Sequence, residues 1–165
     1  MLYRFGKAFY FLSLFGFIFF LLYFYSAMAE SVGYSMDDNG LVINKISKET
    51  FFYSMIGIFV IFNALVLLPP KLLETKMHRR LHRIFPIGDD YRDYFLGWFY
   101  SFGGILNISL SIMVLYTHAI NNQQEIAASK FNFFFYLIPA LSIIWVIGLF
   151  IILGRKFKQI QQKSI

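Results

Sequence analysis

The chain has 165 residues, of which 58% are hydrophobic, 21% aromatic and 15% charged, against roughly 25% charged in soluble domains. With 22 Phe, no Cys and a mean hydropathy of +0.60, the composition excludes a disulfide scaffold, cysteine-held zinc or iron–sulfur centres and thiol redox chemistry. The net charge of +6 therefore rests on a chain too apolar for an ordinary soluble globule, and the class expected is an integral membrane protein.

The first apolar run, Ala8 to Ala29, holds 22 residues without a charge, more than the roughly 20 that cross a bilayer core. Ala27-Met28-Ala29 before Glu30 has the form of a signal-peptidase site. The run is longer than the roughly 7–15 residues of a signal h-region, so it is read as a retained span. The loop that follows carries Asp38-Asn39-Gly40 between Val32–Met36 and Leu41-Val42-Ile43. Asn-Gly accepts positive φ at both central positions and is the strongest short hairpin signal. An isolated two-stranded hairpin is marginal in water, so this one needs a surface to lie on.

The second run, Phe51 to Leu68, ends at Pro69-Pro70, where two backbone donors are lost. Beyond it, Lys71 to Phe85 places Leu73, Met77, Leu81 and Ile84 on one helical stripe, with Lys71, Lys76, Arg79, Arg80 and Arg83 largely elsewhere. This pattern predicts an amphipathic interfacial helix whose basic residues meet anionic lipid headgroups or an acidic cytoplasmic partner. Glu74, His78 and His82 recur at four-residue spacing, a ladder that resembles a metal site in spacing alone; the adjacent arginines oppose a cation, and no metal or cofactor is expected. Pro86-Ile87-Gly88 breaks the helix, and Asp89, Asp90 and Asp93 are expected to cap the next one.

The third and fourth runs, Phe95 to Thr117 and Phe131 to Leu153, are 23 residues each and uncharged. The polar connection between them, Ala119 to Lys130, is expected to prolong the third helix. The fold class predicted is all-α: one transmembrane domain over residues 1–165, a four-helix bundle with a short interfacial amphipathic helix between spans 2 and 3. Of the 15 basic residues, 12 fall in the N-terminal tail, the 69–94 loop and the C-terminal tail, leaving Lys45, Lys48 and Lys130 on the other side. Lys and Arg resist translocation, so both termini and that loop are expected in the cytoplasm; the basicity reports topology, not nucleic acid.

Inside the spans no Asp, Glu, Lys or Arg is found, which disfavours proton-coupled transport; His118 lies at the outer end of the third span and no other histidine falls inside a span, so one chain does not offer two imidazoles to a transmembrane haem. No nucleotide-binding or hydrolase fingerprint is present. The neutral polar and small residues gather on the third span. Gly97, Ser101 and Gly104 share a face suited to close helix approach, and Gly103, Asn107 and Ser111 form an adjacent stripe, with Asn63 on the second span as a polar mate. Two functions are expected from this pattern. The first is a non-catalytic subunit that stabilises, anchors or regulates a larger complex of the bacterial inner membrane, with lipids and other integral membrane subunits as partners. The second is a small oligomeric channel or carrier, a homo-oligomer arranged around the stripe of span 3.

Overall fold

The computed structural model describes residues 2–37, 41–75, 79–122 and 132–163. Among these residues the chain forms α1 (Leu2–Ala27), the strands β1 (Ser31–Met36) and β2 (Val42–Ser47), α2 (Lys48–Glu74), α3 (Arg79–Ile84), α4 (Asp90–Asn121) and α5 (Asn132–Lys163). Four of the helices, α1, α2, α4 and α5, are long and apolar enough to cross a membrane. The sequence expectation of four apolar helices of spanning length, with a hairpin between the first two, is met at this level of length and composition.

α4 is the central helix. α1 runs parallel to it: Gly6 meets Gly97, Tyr10 meets Gly103, and Phe17 and Leu21 share a cluster with Leu110 and Val114. α2 returns antiparallel, adding Phe51 and Met55 to the same cluster and Leu73 to a second one with Phe85, Phe95 and Leu96. α5 is different. Lys156 is its only buried residue among those described; Leu149 and Leu153 pack partly buried against the second cluster, and many of its other apolar side chains are exposed. The helical bundle is thus a three-helix core with a fourth helix laid along α4.

At the end of the molecule where α1 leads into α2, the hairpin is antiparallel, with Val32 opposite Ile46 and a bulge around Tyr34. The surface it needs is the last turn of α4. Asn121 accepts from the Gly33 N–H at 2.8 Å and donates to the Gly33 carbonyl at 2.9 Å, imitating a third strand. Gly33 has to be small, since a Cβ there would lie 2.4 Å from Val42 Cγ1. The Asp38-Asn39-Gly40 turn itself, and most of the Ala119–Lys130 connection, lie outside the described residues.

Two local expectations are corrected. Pro69-Pro70 does not end the second span: α2 continues to Glu74. The two prolines lie inside α2, one turn before its end, where each lacks a backbone donor. The following residues still find carbonyl acceptors one turn back, and the extension buries Leu73 completely. The second correction concerns the amphipathic helix over 71–85. Lys71 belongs to α2, Thr75 caps α2 in an extended conformation, and α3 has only six residues. Leu81 and Ile84 pack against the Leu73, Phe85, Phe95 and Leu96 cluster, so the apolar stripe is spent inside the chain. Lys76, Met77 and His78 lie outside the described residues.

Candidate functional site

Four polar arrangements tie α4 and its N-cap to the rest of the chain, two of them to α1 and α2 and two to α5. Deepest is a relay across three helices. Tyr10 Oη donates to Asn63 Oδ1 at 2.8 Å, and Asn63 Nδ2 donates to Asn107 Oδ1 at 2.9 Å and to the Phe59 carbonyl at 2.8 Å. Each interhelical bond of this kind contributes about 0.6–2 kcal/mol in an apolar surrounding. Asn107 is fully buried and its Nδ2 has no acceptor among the described residues. Ser111 and Ser13 turn their hydroxyls back onto the Asn107 and Tyr10 carbonyls of their own helices.

The small residues of α4 divide between its neighbours. Gly97 faces Leu2 and Tyr3, Gly104 faces the Phe9 ring, and Gly103 faces Tyr10 and Val66. Ser101 does not join Gly97 and Gly104 against α1. It accepts from Trp145 Nε1 of α5 at 3.1 Å and donates to the Trp98 carbonyl, while Trp98 Nε1 donates to the Trp145 carbonyl at 2.6 Å. This Trp–Ser–Trp clasp is the mid-helix attachment of α5.

Toward the end that holds both chain termini, Glu74 is a hub. It accepts from Tyr3, from Tyr100 at 3.0 and 3.1 Å, from Lys7 at 3.2 Å and from Lys71 at 3.1 Å. The four donors come from α1, α2 and α4, so one carboxylate ties the three core helices at one level. Of the Glu74, His78 and His82 ladder, Glu74 turns inward and His82 bonds the Thr75 carbonyl and approaches Arg92, while His78 lies outside the described residues. Among the described residues no three His, Cys, Asp or Glu side chains converge as a metal site would require.

Asp89 caps α4 by accepting from the Tyr91 N–H, as the sequence suggests, and also pairs with Lys156 of α5. Both side chains are more than nine-tenths buried, and the ammonium lies 5.7 Å and 5.6 Å from the Phe85 and Tyr91 ring centres. Arg92 clamps the intervening turn by donating to the Phe85 and Leu73 carbonyls. Lys71, Arg79, Arg80 and Arg83 stay exposed.

Sequence reasoning singled out Asn63, Asn107 and the α4 glycines but not Gly6, Tyr10, Glu74 as a hub, or Lys156. Gly6 and Tyr10 sit in an aromatic-rich run whose period distinguishes no face, and Lys156 stands in a basic tail between Arg155 and Lys158. Comparison with models of known families, with curated proteins and with solved structures gives no match to any of them.

Proposed function

We propose that this chain is a non-catalytic, multi-pass subunit of a bacterial inner-membrane complex, with both termini cytoplasmic, that stabilises or anchors its partners by helix packing. One observation carries the reading: the small and polar stripe of α4 is consumed within the chain. Gly97, Gly103, Gly104, Asn107 and Ser111 are all buried, against α1 and α2. A channel assembled around α4 needs that stripe on an outward face shared between copies, where polar side chains replace ion hydration. Along the long helices most of what faces outward is apolar, as on α5 from Phe133 to Ile151.

Among the described residues the buried pairings form no reactive arrangement, since Glu74 is engaged by five donor contacts and the Asn107 side chain bonds Asn63 alone. The test is affinity purification of the tagged full chain from membranes in mild detergent, with quantitative mass spectrometry. A foreign integral membrane protein at fixed stoichiometry is the expected result. A pure homo-oligomer that passes ions or small solutes in liposomes overturns it.

A further inference from the structure

We infer that the groove between α1 and α5 holds an anionic phospholipid, with an acyl chain along its apolar walls and the headgroup phosphate against Arg155. The groove has a volume of about 750 Å³ and is floored by Gly97 and Ser101 of α4. Phe5 and Phe9 form one wall, Leu141 and Trp145 the other. It extends from Tyr94 to Ile105 on α4, and those 11 residues at 1.5 Å per residue span about 16 Å, close to half of a bilayer core about 30 Å thick. One leaflet's acyl chain matches that depth.

Deep in the groove, Ser101 Oγ and both indole N–H groups are already engaged, bonding one another or backbone carbonyls. The deep part therefore suits hydrocarbon and offers nothing to a polar ligand. At the mouth the chemistry changes. Arg155 is exposed, lines the groove, and has no ion pair or hydrogen bond among the described residues, whereas its neighbour Lys156 is committed to Asp89. No acidic side chain lines the groove. A guanidinium presents parallel donors that fit phosphate oxygens, and basic positions between spanning helices at the membrane border select anionic headgroups. A partner helix is the competing occupant, but it would have to bring a carboxylate to the same level to match Arg155. The inference requires that these helices cross a membrane and does not depend on the chain being a subunit.

Trp98 and Trp145 are the only two tryptophans and both line the groove, so intrinsic fluorescence reports its contents. The full chain is reconstituted into phosphatidylcholine vesicles containing a minor fraction of phosphatidylglycerol, with brominated acyl chains on one lipid or the other as the quencher. At equal mole fraction, brominated phosphatidylglycerol is expected to occupy the groove with a preference of about fivefold, the effect of one basic residue at the membrane surface. Arg155→Gln should abolish the preference and Arg155→Lys should retain part of it, with unchanged helical circular dichroism. Equal quenching by the two lipids in the wild type, or a preference that survives Arg155→Gln, overturns the inference. Tryptophans that neither lipid quenches overturn it too and assign the groove to a protein helix.

Discussion

Replacing Gly6 with Ala puts a methyl group 2.9 Å from the Gly97 carbonyl oxygen and 3.4 Å from Gly97 Cα. Carbon and carbonyl oxygen normally stand about 3.3–3.6 Å apart even in their closest regular contacts, so α1 and α4 must separate by about 0.5 Å. Both obstructing atoms are backbone and cannot rotate away. A gap of that size forfeits about a quarter to a half of each dispersion contact along the seam, and overpacked sites typically lose about 1–3 kcal/mol. Ala also gains about 0.5–1 kcal/mol over Gly in a helix interior, which masks part of the loss. Gly16 supplies the control, because it lies in the same helix and a Cβ there meets nothing within 4 Å. Gly6→Ala should therefore be less stable than Gly16→Ala by about 1–3 kcal/mol, read from reversible unfolding in mild detergent. Gly104→Ala should fall between them: its Cβ would lie 2.5 Å from the Phe9 ring, but that ring is 36% exposed and can swing outward. Equal stability of Gly6→Ala and Gly16→Ala would refute a backbone-to-backbone seam between α1 and α4.

Lys156→Met strands the Asp89 carboxylate in a buried position and should cost about 3–5 kcal/mol. Adding Asp89→Asn, which keeps a good N-cap, should restore most of that loss, and proteolysis of the α5 end should follow the same order. Asn63→Leu removes the bonds to both Tyr10 and Asn107 and should destabilise by about 1–3 kcal/mol, more than Tyr10→Phe; a double-mutant cycle giving additive losses would deny the relay. Single cysteines at Lys45 and Gln161 should label from opposite sides of the membrane, with Lys45→Cys reacting from outside; labelling of both from one side removes the topology derived from the basic residues.

The four long apolar helices, the hairpin and the Asp89 cap were legible in the sequence by itself. Each depends on quantities that are local along the chain: the length of an apolar run, an Asn-Gly pair, an aspartate beside a helix start. The polar mates Asn63 and Asn107 were also visible, because an amide inside an apolar run has few ways to be satisfied. Which faces meet was decided only by the tertiary structure. In α1 and α5 nearly every direction around the helix is apolar, so hydropathy cannot say which side is inward. The choice falls to atoms far apart in sequence: Gly6 admits Gly97, Glu74 gathers donors from three helices, and Lys156 reaches Asp89. The amphipathic pattern over 71–85 failed for the same reason. A stripe of Leu73, Leu81 and Ile84 records that these side chains avoid water, and it was the fold that supplied Phe85, Phe95 and Leu96 as the surface they cover.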